Sequence, residues 1–142
     1  MFTGQYRHSI DAKGRVAIPA RFRLPLEEGA VLVKWLDGCA ALYSRIAYEQ
    51  FAEKLAVLPL NDEKARNFAR FLFSNSFDVE ADAQGRILLA LPIRDWAGLT
   101  SEAVMVGARD HVEIWAPDRW ADFQKAMESG DALAAQLAGL TI

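Results

Sequence analysis

Phe77-Asp78-Val79-Glu80-Ala81-Asp82 alternates apolar and charged residues with a period of two, the pattern of a half-buried strand, and Tyr6 to Ile10 alternates less cleanly. Each segment runs into an Asp-x-x-Gly-Arg turn, Asp11 to Arg15 and Asp82 to Arg86. Gly14 and Gly85 suit the positive φ of a tight turn, and the aspartate can accept hydrogen bonds from the turn's own amides. A second short strand follows, Val16 to Ile18 or Ile87 to Leu89, and then a short helix carrying Arg21 and Arg23, or Arg94 and Trp96 up to Gly98. Hairpins are predicted next, Val31 to Leu36 turning at Asp37-Gly38 into Cys39 to Tyr43, and Val104 to Ala108 turning at Arg109-Asp110 into His111 to Trp115. Tyr48, Phe51, Ala52 and Leu55 trace a helical stripe from an N-cap at Ser44 to a stop at Pro59. Pro117, Trp120, Phe123 and Met127 trace another before Gly130. A further helix is predicted from Asn61 to about Ser74, and Leu133, Leu137 and Leu140 recur at helical spacing near the C-terminus.

The two sets of elements are copies. Asp11-Ala-Lys-Gly-Arg-Val-Ala-Ile18 returns seventy-one residues later (82 − 11 = 71) as Asp82-Ala-Gln-Gly-Arg-Ile-Leu-Leu89, with Arg23 and Arg94 at the same offset. The unit is half the chain, too long for a solenoid period and too short for two generous domains. One domain built from two related halves is the expectation, with shared strands or a continuous interface between them.

At 142 residues, 52% hydrophobic and 25% charged, the chain has an ordinary globular composition. Its longest apolar runs fall far short of a membrane span, and Arg7 and Asp11 interrupt any signal-peptide core, so a cytoplasmic protein is expected. The lone cysteine, Cys39, sits in an apolar strand pattern and reads as a buried structural thiol. A net charge of −3 and a pI near 5.4 argue against a nucleic-acid partner until the distribution is considered. Residues 1 to 25 carry Arg7, Lys13, Arg15, Arg21 and Arg23 against Asp11 alone, a balance of +4 that leaves −7 elsewhere (−3 − 4 = −7).

Catalytic constellations are missing. His8 and His111 lack the surrounding spacing of a metal site, and no phosphate loop or nucleophile elbow occurs, so no enzyme, metal or cofactor is expected. His8 is expected against a core or an interface. The Asp-x-x-Gly-Arg turn supports two readings. In one, Asp11 pairs with Arg15 and Asp82 with Arg86 purely structurally. In the other, the turn exposes an arginine fork suited to phosphate oxygens or to the O6/N7 edge of guanine. The neighbouring Arg7, Lys13, Arg21 and Arg23 favour nucleic acid.

Met1-Phe-Thr-Gly4, the run Ile10-Asp-Ala-Lys-Gly-Arg-Val-Ala-Ile-Pro-Ala-Arg-Phe-Arg23 and its second copy together resemble the MraZ family of bacterial transcriptional regulators. The likeness extends over essentially the whole chain. It implies an α+β fold of two tandem AbrB/MazE-type swapped-hairpin β units with flanking helices, related by a pseudo-two-fold axis and associating into rings. Residues 1–58 would form the first unit, 59–76 a helical connection, 77–128 the second unit and 129–142 a C-terminal helix. The family's repeated Asp-x-x-x-Arg motif falls on Asp11, Arg15, Asp82 and Arg86. Double-stranded DNA is the implied partner, read at tandem short G-rich repeats in the chain's own promoter ahead of the cell-division and cell-wall genes. The implied protein is a nucleoid-associated repressor without a small-molecule substrate.

Arg15 and Arg86, with Lys13, Arg7, Arg21 and Arg23, are the DNA-contact candidates; Asp11, Gly14, Asp82 and Gly85 shape the turns. Ala90 stands where the first copy has Pro19, and Pro92 follows two residues later, so the second short helix is expected to begin differently. Two competing readings are an antitoxin-like AbrB protein, which would need a polar extended tail, and a ring scaffold that binds proteins through its acidic surface.

Overall fold

The computed structural model describes residues 1–142. Six strands form an antiparallel sheet in the order β1-β7-β8-β4-β3-β5, and two more, β2 and β6, form a separate ladder. Their ranges are β1 Gln5–Ser9, β2 Arg15–Ala17, β3 Ala30–Lys34, β4 Ala40–Ser44, β5 Ser76–Val79, β6 Arg86–Leu88, β7 Glu102–Gly107 and β8 Val112–Trp115. The helices are α1 Ala20–Arg23, α2 Arg45–Ala56, α3 Glu63–Ser74, α4 Leu91–Ala97, α5 Pro117–Met127 and α6 Ala132–Leu137. None is long and apolar enough to cross a membrane.

The halves trade strands. β1 of the first half pairs with β7 of the second, and its counterpart β5 pairs with β3 of the first. The equivalent strands β4 and β8 meet at the sheet centre, and β2 and β6 meet in the ladder. Val16 faces Ile87 and Ala41 faces Glu113, so an approximate two-fold axis runs through both pairs.

Alternation along the strands divides the core between two faces of the sheet. Leu32, Leu42, Met105 and Ile114 pack against Val16, Ile18, Ile87 and Leu89 of the ladder and against Phe22 of α1 and Ile93 of α4. Val16 and Ile87 are fully enclosed on the axis, where burial of such side chains contributes about 1.5 to 3 kcal/mol each. On the opposite face, α2 and α3 cover Val31, Val33, Ala41 and Tyr43, while Trp120 of α5 packs with Trp115 and Val104. Cys39 lies buried in that second layer, donates to the Leu36 carbonyl at 3.3 Å, and has its thiol pKa pushed up by burial.

Local chemistry sets the element ends. Ser44 Oγ accepts from the Ala47 amide at 3.1 Å, capping α2 as its sequence predicts. Asp62 caps α3 through the Ala65 amide at 3.2 Å, so that helix starts at Glu63 rather than at Asn61. The C-terminal helix is likewise shorter than 129–142, ending at Leu137 ahead of Gly139, whose φ is +82°. The hairpin turns place Asp37 at φ 62° and Arg109 at 71°, the two non-glycine residues with positive φ, at equivalent positions of the two halves. The different start expected of α4 does not occur. α1 opens at Ala20 and α4 at its counterpart Leu91, because Pro92 falls in the first turn, where its missing N–H forfeits no helical bond.

Candidate nucleic-acid interface

Both Asp-x-x-Gly-Arg segments fold into the same clamp. Asp11 Oδ1 accepts from the Lys13 amide at 3.0 Å and the Arg15 amide at 2.9 Å, and Oδ2 accepts from Arg15 Nε at 2.7 Å. Asp82 does likewise with the Gln84 amide, the Arg86 amide and Arg86 Nε, each at 2.9 Å. Gly14 at φ +86° and Gly85 at +76° allow the chain to turn so tightly. The hydrogen bond from the Arg15 amide, with those from its guanidinium and from Lys13, outweighs partial desolvation and holds Asp11 below the usual carboxylate range. The Arg86 amide and its companions do the same for Asp82.

The structural pairing is therefore real, and it leaves the arginine competent to bind. Each aspartate occupies Nε and fixes the plane of the guanidinium, while the terminal nitrogens of Arg15 have no protein hydrogen-bond partner. With Val16 and Ile87 pointing inward, Arg15, Ala17, Arg86 and Leu88 occupy the outward face of the β2/β6 ladder. The side chains of Arg15 and Arg86 keep 32% and 30% of their surface exposed, and Leu88 is also exposed.

Strand exchange redistributes the other arginines. Arg23 lies against the turn of the opposite half, where a Cβ on Gly85 would meet its Nε and Cζ at 2.6 Å. Arg94 lies against the first turn, with its Cζ 3.0 Å from a Cβ on Gly14. Each is held by a bond from Nε to a carbonyl, Arg23 to Ile18 at 2.9 Å and Arg94 to Leu89 at 3.1 Å. Sequence proximity assigns Arg23 to the first turn, whereas the fold gives it to the second. Arg94 is the residue that sequence reasoning left out of the candidate set, although its offset from Arg23 marked it.

The remaining candidates separate. Lys13 is exposed on the first turn. Arg21 donates to the Tyr6 hydroxyl at 3.0 Å beside α1. Arg7 alternates with Tyr6 on β1 and points to the α5 side of the sheet, 3.7 Å from Glu102, so it does not join the ladder face. His8 shares the Tyr6 side of β1 and is half-buried. A cleft beside Gly85 is lined by Arg23, Glu27, Glu28, Glu80 and Asp82, giving the second turn acidic surroundings.

Two interlocked copies of one turn, each presenting a carboxylate-oriented arginine on a shared ladder, define a duplicated α+β module with antiparallel sheets. A family model described as "MraZ protein, putative antitoxin-like" matches residues 1–71 and again 72–139. Relatives named transcriptional regulator MraZ align over nearly the whole chain. The protein from Pelotomaculum thermopropionicum is 45% identical, with 100% of this chain and 99% of its own length covered. That from Thermomicrobium roseum is 43% identical with 99% of each covered, and that from Roseiflexus sp. (strain RS-1) is 43% identical with 96% and 95% covered. The chain belongs to the MraZ family.

Proposed function

We propose that this protein is a sequence-specific DNA-binding transcriptional regulator whose Gly-Arg turns enter the major groove. The observation that carries the reading is the doubled clamp. Each aspartate pre-orients a guanidinium through Nε, and in Arg15 this leaves the terminal nitrogens for the acceptors of guanine or phosphate, so little conformational freedom is lost on binding. Lys13 adds a phosphate contact that positions without specifying sequence. The relatives named transcriptional regulator MraZ support a role in regulating transcription.

The finer reading is a repressor of its own promoter and of the cell-division and cell-wall gene cluster, working in the cytoplasm at the nucleoid. It consists of two AbrB-type swapped-hairpin units, 1–58 and 77–128, and assembles as a homo-oligomeric ring on tandem short G-rich repeats. Tethered subunits on such repeats turn modest unit affinity into avidity. Exposed Ile46, Leu60, Leu133 and Leu137 support self-association, because they leave apolar side chains uncovered in one chain.

The test is to sequence the DNA retained by the purified protein and to measure its affinity for the recovered duplex. Enrichment of repeats from the promoter, with binding lost in Arg15→Ala, is the expected result. Retention of DNA with no sequence preference would overturn it.

A further inference from the structure

We infer that each DNA-reading unit is assembled across the pseudo-two-fold axis, with Arg94 of the second half completing the first turn and Arg23 of the first half completing the second. The inference rests on the DNA-binding reading and extends it to a residue outside the candidate set, Arg94. Three observations carry it.

The first is position. The Arg94 guanidinium lies over Gly14, so close that a methyl group there would crowd it, with its Cζ 3.0 Å away, and Gly14 adjoins both Lys13 and Arg15. The second is orientation. Nε of Arg94 is bound to the Leu89 carbonyl and its terminal nitrogens have no hydrogen-bond partner in the protein, the condition already seen in Arg15. Two oriented guanidinium groups and one ammonium thus share a single turn. The third is recurrence. Arg23 repeats the arrangement with the Ile18 carbonyl and Gly85, and the ladder is closed by reciprocal bonds, Leu89 amide to Gly14 carbonyl and Ile18 amide to Gly85 carbonyl, each 2.8 Å.

The two units differ in charge. Arg23 shares its cleft with Glu27, Glu28, Glu80 and Asp82. The first turn has Ser9 where the second has Glu80, and Lys13 where the second has Gln84. Lys13, Arg15 and Arg94 therefore make the unit that engages phosphate and base together, and Arg94 acts in it as a phosphate contact.

The test uses the full chain and a duplex carrying the G-rich repeats of its own promoter, alongside a duplex of scrambled sequence. Arg15→Ala, Arg23→Ala, Arg94→Ala and the double variants are titrated over a range of salt. Arg15→Ala and Arg94→Ala should couple, the double loss departing from the product of the single losses by about threefold or more, while Arg15→Ala and Arg23→Ala multiply independently. Arg94→Ala should also lower the slope of log affinity against log salt by about 0.9, and Arg94→Lys should restore it.

Coupling of Arg15 to Arg23 instead of Arg94 would overturn the crossed assignment. So would a slope unmoved by Arg94→Ala, since a residue that only buttresses Gly14 changes stability without changing the number of phosphates neutralised. A wild-type chain that binds neither duplex would instead refute the DNA-binding reading itself.

Discussion

Arg86 and Asp11 come from different repeats, yet Nη1 of Arg86 lies 3.8 Å from Asp11 Oδ2. Asp11 thereby serves two arginines, its own at 2.7 Å and the other half's across the ladder. Arg86 is engaged three times over, by Asp82, by Asp11 and by Gln84 Oε1 at 3.4 Å. Arg15 is held by Asp11 alone, which makes the pseudo-symmetric turns chemically unequal.

Arg15→Ala is accordingly expected to cost more operator affinity than Arg86→Ala. One bidentate arginine–guanine contact is worth about 1 to 3 kcal/mol, and the loss recurs in every subunit bound. Thermal melting should change little, since a partly exposed surface pair contributes modestly to stability. Equal affinity losses for the two variants, measured on the promoter duplex, would show that the turns read DNA alike.

Lys13→Gln, which gives the first turn the residue found in the second, should reduce the salt dependence of binding while leaving sequence preference largely unchanged. Titrations of specific and scrambled duplexes at several ionic strengths check this. A selective loss on the specific duplex would make Lys13 a base reader.

The repeat was legible as self-similarity of the sequence, and the clamped turns, the hairpins and the Ser44 cap because each depends on residues close together in sequence. Asp11, Gly14 and Arg15 close one turn among themselves, and the Tyr48-Phe51-Leu55 stripe needs only helical periodicity. Strand exchange was legible only as a broad expectation of shared strands or a continuous interface, not as a particular pairing. It is decided by which half supplies the partner of β1, and neither charge nor hydropathy near β1 encodes that choice. Counting Arg23 with the first turn followed from only seven intervening residues, 16 to 22, whereas the fold carries Arg23 across the axis to Gly85. Arg7 lies apart from the other candidates for a simpler reason: a two-residue alternation sends it to the far side of a sheet whose faces the sequence alone does not label.

Gly14→Val should destabilise the fold by about 1 to 3 kcal/mol, since a β-branched residue at φ +86° is strained and its Cβ would crowd Arg94. Gly85→Val should do no better, with Arg23 closer still. Denaturant midpoints for both are the measurement. A midpoint equal to that of the parent would contradict the turn geometry.

His111 stacks on Tyr43 at 4.8 Å, with Nδ1 2.7 Å from Asp110 and Nε2 3.3 Å from Glu113. Burial opposes its protonation, but hydrogen bonds to Glu113 and Asp110 prevail and raise its pKa above the ordinary 6.5. A group so raised stabilises the fold fully below its unfolded value and loses that contribution as pH rises through the folded value. Asp110 and Glu113 are shifted down and Cys39 and Tyr43 up, so the histidine alone of this cluster titrates in that window. The melting temperature should therefore drop in the parent as pH rises above the ordinary histidine value of 6.5 and stay flatter in His111→Gln. Parallel curves would remove His111 from the account.

Light scattering should return a mass several times the 15.8 kDa of one chain. Ile46 on α2 and Leu133 and Leu137 on α6 are more than half exposed, an arrangement that subunit contacts would relieve. A monomer at working concentration would remove the ring and the avidity that depends on it.

The crossed pairing of β1 with β7 has a consequence for how the chain is made. A nascent polypeptide that has emerged only as far as Ser76 carries Gln5–Ser9 with no strand to lie beside, because Glu102–Gly107 has yet to be synthesised. Val16 likewise awaits Ile87. The first half cannot mature on the ribosome as an independent unit, as successive domains commonly do. Both halves must be present before either closes, so translation delivers a pair of incomplete pieces that become ordered together.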